Sequence, residues 1–220
     1  MSLERLFDRK LRSTVGIHPN WPFGTPLQLG DVLMKRAGRF APVANLESDF
    51  GITNIRKMKI NVGRIDLATA GVSSRTIQGG VEVTPDNIKA NVKADLEIQF
   101  GRRDTFMFKT SKLSGVAIDN IAQVGFELMK NPNWRLRDFF VAYEIYNASD
   151  FTFLGSVSKT RKTVFSGTGS AVVKFLTLGL SAGLTSSGQH DAKLDVTGSK
   201  GTVGFAVARF RKNGLPIVDV

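Results

Sequence analysis

Apolar and polar residues alternate without a break from Ile88 to Phe100. Ile88, Ala90, Val92, Ala94, Leu96, Ile98 and Phe100 take every second position, and Lys89, Asn91, Lys93, Asp95, Glu97 and Gln99 fill the gaps. Successive side chains of a strand point to opposite faces. The run therefore predicts one strand over 88–100, longer than the ordinary strand of about 5–6 residues. Ile77, Val81 and Val83 precede it across the turn Thr84-Pro85-Asp86-Asn87, which makes a hairpin. A second alternation runs from 176 to 184: Leu176, Leu178, Leu180, Ala182 and Leu184 face one way, Thr177, Gly179, Ser181 and Gly183 the other. After a turn region over 185–191, Ala192, Leu194 and Val196 alternate with Lys193, Asp195 and Thr197, predicting a second hairpin.

Elsewhere the period changes. Over residues 3–12, Leu3, Leu6, Phe7 and Leu11 share one helical face, while Arg5, Arg9 and Arg12 lie nearly opposite and Lys10 borders the apolar side. Such a short basic helix either packs on the core with its arginines in water or lies on a lipid surface. Residues 13–26, with His18, three prolines and Gly24, predict a loop anchored by Trp21 and Phe23. LQLGDVL (27–33) begins a strand, Ala37-Gly38 a turn, and a second strand reaches Leu46. The stretch 58–67 alternates and then shifts phase near Gly63, as a bulge does, and residues 68–76 are small and polar. Ile118, Ile121, Ala122, Phe126 and Met129 predict a helix over 117–130, stopped by Asn131-Pro132-Asn133. DFFVAYEIYNA (138–148) reads as a buried strand, 151–157 continues the β character, 203–211 is a last strand, and Gly214-Leu215-Pro216 opens a tail. The fold class is α+β: a central twisted antiparallel sheet with two long hairpins, an N-terminal amphipathic helix and a few peripheral helices. No repeat and no linker divides the chain, so 1–220 reads as one domain.

Charge narrows the partners. The chain of 220 residues has 30 Lys and Arg against 19 Asp and Glu, a net charge of +11, which points to a polyanion: a membrane face or nucleic acid. It has no cysteine, which excludes disulfides, thiolate metal sites, a Cys nucleophile and S-acylation, and fits a reducing, cytoplasmic setting. Charges interrupt the N-terminus too often for a secretory signal. No run of about 18 apolar residues offers a membrane-spanning helix.

Few residues carry a recognisable chemistry. His18 and His190 are the only histidines, both in predicted loops, and read as surface residues. No nucleophile elbow, H-E-x-x-H or Walker run is present. Gly167-Thr168-Gly169-Ser170 begins like a dinucleotide loop, but Val172 holds the third glycine position and no helix is expected to follow. Asp95 and Glu97 lie two apart on one strand face and read as solvated charge. Glu144 reads as facing solvent or pairing with a Lys or Arg. The chain is thus expected to be no enzyme, with no catalytic residue, metal or cofactor. Basic clusters occur at Lys35-Arg36-Arg39, Arg56-Lys57-Lys59, Arg102-Arg103, Arg135-Arg137, Lys159-Arg161-Lys162 and Arg209-Arg211-Lys212. Without aromatic platforms or a recognition motif between them, a basic β-rich binding domain for nucleic acid or a protein partner is the alternative reading.

A tilted strand of about 9–11 residues crosses the hydrocarbon layer, and both predicted hairpins reach that length. Open sheet edges are too costly in lipid, so such strands span only within a closed barrel built from several chains, where alternation puts one face to lipid and one to water.

The order of elements resembles the pore-forming domain of the gasdermin family, in particular its compact bacterial members. A basic helix, MSLERLFDRKLRS, comes first, then small strands, LQLGDVLMKRAGRFAPVANL, then an extended hairpin over roughly 72–100. A helical insert leads to NWRLRDFFVAYEIYNASDFTFLGS, then a second extended hairpin over 165–198 and a closing strand, TVGFAVARFRK. The resemblance covers nearly the whole chain and rests on element order. It implies a cytoplasmic monomer that relocates to the inner membrane face, oligomerises, inserts both hairpins into one large barrel and lyses the cell, a cell-death role suited to antiphage defence. It implies lipid contact for Arg5, Leu6, Phe7, Arg9, Lys10 and Arg12, each cation adding about 1 kcal/mol near an anionic surface. It also implies membrane insertion of Val92, Ala94, Leu96, Ile98, Phe100, Leu176, Leu178, Leu180, Ala182 and Leu184. In the family a C-terminal segment restrains the protein until an activating protease removes it; here only about residues 212–220, KNGLPIVDV, could serve, which is short even for the compact members.

Overall fold

A computed structural model of the chain describes residues 2–23, 25–134, 137–188 and 194–219. The elements run α1 (Leu3–Val15), β1 (His18–Pro19), β2 (Asp31–Arg36), β3 (Arg39–Asn45), β4 (Lys57–Ala68), β5 (Val72–Gln78) and β6 (Val81–Val83). After a 3-10 turn at Pro85–Asn87 come β7 (Lys93–Phe100), β8 (Thr105–Ile118), α2 (Ile121–Lys130), β9 (Phe139–Ser156) and β10 (Arg161–Thr168). The chain closes with α3 (Gly169–Leu178), β11 (Leu184–Gly188), β12 (Leu194–Phe210) and β13 (Pro216–Asp219). The fold class is α+β, with antiparallel pairing at every described register.

Contacts divide the chain into two compact units. One comprises Met1–Lys10, Gly63–Leu113 and Ala148–Lys200; the other comprises Leu11–Val62, Ser114–Asn147 and Gly201–Val220. Each passage from one to the other falls inside α1, β4, β8, β9 or β12. That is why no linker composition marks the division.

The first unit holds a five-stranded sheet in the order β11-β10-β7-β5-β6. Gly79 and Gly80 join β5 to β6, both at positive φ (62° and 81°), the conformation a two-residue hairpin turn demands. On one face Ala94, Leu96, Ile98 and Phe100 of β7 and Phe165 of β10 pack with Val172 and Phe175 of α3 and with Met107 and Leu154. The rings of Phe165 and Phe175 lie 5.0 Å apart. A separate aromatic group anchors the start of α1: Phe7, fully buried, meets Phe106 at 5.1 Å, Phe108 at 5.4 Å and Phe153 at 5.1 Å.

The second unit is built on strands in the order β1-β12-β9-β2-β3, with β13 added outside β12. Val32, Val141, Ala208 and Phe210 pack on one side with Val124 and Leu128 of α2. Leu33, Phe140, Ala142, Phe205 and Val207 form a second cluster. A sheet covered on both faces needs apolar residues at consecutive positions, which is the character of DFFVAYEIYNA.

Several sequence expectations are corrected here. The strand expected over 88–100 begins only at Lys93. The backbone of 88–92 bonds elsewhere: Gln78 Nε2 donates to the carbonyls of Lys89 (3.0 Å) and Val92 (3.2 Å), and Gln78 Oε1 accepts from the Lys89 N–H (2.9 Å). The larger correction is 176–184. Its first residues end α3, and the chain then turns before β11. Thr168 caps the helix, accepting from the Ala171 N–H, and Gly179 ends it in the left-handed region at φ 73°. Ala171, Val172 and Phe175, the buried helical stripe, lie just before the alternating window. A helix therefore does follow Gly167-Thr168-Gly169, contrary to expectation. β11 pairs with β10. The described part of the segment after it, from Leu194, opens the long strand β12, while His190, Ala192 and Lys193 lie outside the described residues.

Residues 117–118 end β8, and α2 starts at Ile121, so its buried stripe is Val124, Gly125 and Leu128 while Phe126 is 47% exposed. The two β stretches over 138–157 are one strand, β9. The tail after Gly214 forms β13, with Pro216 opposite Phe210 and Asp219 opposite Val207. His18 is buried in β1, its ring 5.1 Å from Phe40 and 5.8 Å from Phe205, and is no surface loop residue.

Candidate membrane-acting segments

The residues expected to meet lipid fall into three groups. On α1, Arg5, Arg9 and Lys10 are exposed and Arg12 half-buried, so positive charge stands along one side of the helix. Its apolar side is occupied: Leu3, Phe7 and Leu11 are buried and Leu6 half-buried. Leu3 fits against Gly155 of β9, where any Cβ would collide with its Cδ2 at 2.5 Å. In this conformation Phe7 is a core residue.

The extended pairing over 72–100 is present as β5 and β7, from Val72↔Phe100 to Gln78↔Ala94, but the hairpin expected across Thr84–Asn87 is not: Val81–Val83 turns back on β5 as β6, on the side of β5 away from β7. Ala94, Leu96, Ile98 and Phe100 are buried, while Val92, before the strand, is 43% exposed. The opposite face is polar, yet Glu97 is not solvated charge as expected. It is 6% exposed and lies directly across from Arg75, whose Nε donates to its Oε2 at 2.5 Å, and it also pairs with Lys162 of β10. The Lys162 hydrogen bond first, and the Arg75 bond with it, hold the Glu97 carboxyl below the usual carboxylate range, against the upward pull of burial. This Arg75–Glu97–Lys162 bridge ties β5, β7 and β10 together. Neighbouring Arg161 is likewise withdrawn from the surface, donating to the Gly155 carbonyl and lying 5.6 Å over the Phe100 ring.

The second segment is β10–α3–β11, and it splits the expected set. Leu176 is half-buried and Leu178 is 40% exposed, both in α3; Leu180 and Ala182 lie in the turn after it, half-buried and exposed; only Leu184 is in a strand. The N-terminus of α3 meets the segment that precedes β7. The N–H of Gly169 donates to Val92 O at 2.8 Å and that of Ser170 to Ala90 O at 2.9 Å. A Cβ on Gly169 would run into the Lys89 carbonyl and stand 2.6 Å from Ile88 Cγ2, so only glycine permits this approach. At the other end, Lys109 Nζ donates to Leu176 O (3.3 Å) and to Asp66 Oδ2 (2.7 Å), while Thr152 Oγ1 donates to Gly179 O (3.3 Å). Lysine at a helix C-terminus meets the negative end of the dipole. The two segments therefore share one sheet and hold each other through α3.

The roles of Arg75, Lys162, Lys109, Gln78 and Thr152 are not legible in the sequence, where only Lys162 stands out and then as part of a basic cluster, because each acts across a strand register or on a helix that the alternation concealed. Thr168 and Gly179, ten residues of helix apart, were the legible signal. Glu144, expected at solvent or beside a cation, instead accepts from the Tyr146 hydroxyl at 2.6 Å. Burial and then Glu144 push Tyr143 up to about 12. No group of metal-ligating side chains occurs among the described residues, and no helix there is long and apolar enough to cross a membrane.

No protein-family model and no curated protein matches the sequence. Among solved structures, the chain is similar to a bacterial gasdermin from Bradyrhizobium tropiciagri, at 12% identity and a TM-score of 0.42, over 95% of this chain and 88% of that one. It is also similar to the gasdermin A3 membrane pore, determined by cryo-EM, at 12% identity and a TM-score of 0.38, over 99% and 94% of the two chains.

Proposed function

We propose that this chain forms pores in anionic membranes, in the manner implied by its resemblance in element order to the gasdermins. One observation carries the reading: both segments read as membrane hairpins belong to a single amphipathic sheet, and α3, part of the cover on its apolar face, is drawn from inside the second segment. Lifting α3 uncovers part of the face formed by Ala94, Leu96, Ile98, Phe100 and Phe165, where Met107 and Leu154 also pack, with Glu97, Arg75 and Lys162 on the other face. Lipid satisfies the first face and water the second. Unwound, α3 lengthens β10 and β11 into the second hairpin, so that Leu176, Leu178, Leu180, Ala182 and Leu184 recover the alternation of their sequence. The sheet ends in β6 and β11, and a closed ring of copies removes such edges. Arg5, Arg9, Lys10 and Arg12 of α1 bring the protein to an anionic inner face, and release of Phe7 frees the helix. The tail 212–220, which carries β13 (Pro216–Asp219), restrains the resting form, and a protease that removes it activates lysis, a cell-killing outcome suited to defence against phage.

Dye release from liposomes tests this. Full chain and a chain lacking 212–220 are added to vesicles with and without anionic lipid. Release that requires anionic lipid and rises on truncation supports the proposal. Replacing Arg5 and Arg9 by Ser weakens vesicle binding about 30-fold, at about 1 kcal/mol for each cation. Silence from both folded forms on every vesicle returns the chain to the class of basic β-rich binding domains.

A further inference from the structure

A cavity of about 150 Å³ lies between α3 and the sheet. Leu96, Ile98 and Phe175 wall it, each no more than 1% exposed, with Met107 and Leu176 beside them. The cavity is partly open, and Ser73 and Ser74 of β5 line it together with these apolar side chains; its volume suits a molecule about the size of benzene. Its charged lining residues, Lys109 and Asp66, lie together in one corner. Lys109 lines the cavity, and of the three donors of its ammonium group two are engaged, by Asp66 Oδ2 and by Leu176 O. The Asp66 carboxylate and the negative end of α3 beside it exclude an anion from that corner. A neutral acceptor, by contrast, matches the remaining N–H.

We infer that this cavity is a binding site for a small uncharged aromatic molecule bearing one hydrogen-bond acceptor, with Lys109 as its polar contact. Its walls come from both hairpin segments: β5 and β7 on one side, α3 on the other. On the reading of pore formation given above, lifting α3 destroys the site, so the ligand binds the resting form alone. A ligand at 100 times its Kd then shifts the resting–open balance about 100-fold toward rest and slows leakage accordingly.

The experiment titrates the full-length protein with benzaldehyde, benzene and benzoate, following methyl resonances of Leu96, Ile98 and Met107 by NMR and dye release in parallel. Benzaldehyde and benzene are expected to give saturable shifts, benzaldehyde more tightly, and benzoate none. Leu176→Trp, which fills the cavity from the half-buried helix position, abolishes both. Lys109→Met removes the preference for benzaldehyde over benzene while benzene still binds. Absence of saturable shifts up to the solubility limit overturns the inference, as does benzoate binding equal to benzaldehyde. So does a Lys109→Met variant that keeps the preference, which decides the matter even where Leu176→Trp fails to fold. Saturable binding by a chain that never releases dye leaves the site standing and removes the pore reading. Dye release by a chain that binds none of the three does the reverse.

Discussion

Replacing Gly169 by Ala should loosen the grip between the two hairpin segments without disturbing either strand ladder. Gly169 is the first residue of α3, and alanine adopts its helical backbone freely. The added Cβ, however, meets the Lys89 carbonyl and Ile88, and backbone cannot swing aside as a flexible side chain does. Residues 88–92 must withdraw, which breaks the bonds from Gly169 to Val92 and from Ser170 to Ala90. Two net hydrogen bonds are worth about 1–3 kcal/mol. Lower chain entropy in the unfolded state, about 0.4–1 kcal/mol for Gly→Ala, offsets part of that globally but not the local opening. A local loss of about 1–3 kcal/mol corresponds to about 5- to 150-fold faster opening. Hydrogen exchange resolved to peptides covering Lys89 and Gly169–Ser170 measures it. Gln78→Ala, which removes three further bonds to the same segment, should accelerate the same amides. If exchange at Gly169 and Ser170 in the alanine variant stays within about twofold of the parent, the segment does not dock on α3 as described and the mutual restraint falls. On the pore reading, dye release by the alanine variant speeds up over the same range.

Two other outcomes follow from the packing and the charges. Phe7→Ala removes a fully buried ring from contact with Phe106, Phe108 and Phe153 and should cost about 3–5 kcal/mol in urea denaturation; a loss under about 1 kcal/mol would mean that α1 is not anchored there. Glu97→Gln should weaken acid sensitivity. Because the Glu97 carboxyl is held below its usual value, its stabilisation is complete above the unfolded carboxylate range and disappears as pH falls through the folded value. The parent thus loses stability in that acid window, and the variant, already weaker at neutral pH by about 1 kcal/mol for pairs to half-exposed partners, loses less. Parallel stability–pH curves for the two proteins contradict this.

How much was legible depended on how far apart the deciding residues lie. The alternation at Ala94–Phe100, the apolar stripe of Leu3, Phe7 and Leu11 and the Ala37-Gly38 turn are local patterns, and local geometry produced a strand, a helix and a hairpin there. The alternation 176–184 is just as regular, yet it failed. Its periodicity is also compatible with the end of a helix whose buried residues come earlier, and the Thr168 cap, the Gly179 stop and a hydrophobic sheet face to cover decided for helix. Likewise 88–92 has the pattern of a strand, but Gln78 and the α3 N-terminus supply its hydrogen bonds instead.

By itself, then, the sequence determined where apolar surface would be periodic, how strongly basic the chain is, and which chemistries the missing cysteines and scarce histidines rule out. Tertiary structure alone decided that Glu97 would be bridged rather than solvated, that Arg161 would be buried, and that the two membrane-like segments would share one sheet. Those outcomes depend on strand register, on the Gly155 carbonyl that accepts from Arg161 and on close backbone approach at Gly169; the register and the Gly169 contact bring together residues tens of positions apart, and no local periodicity encodes which of them will meet.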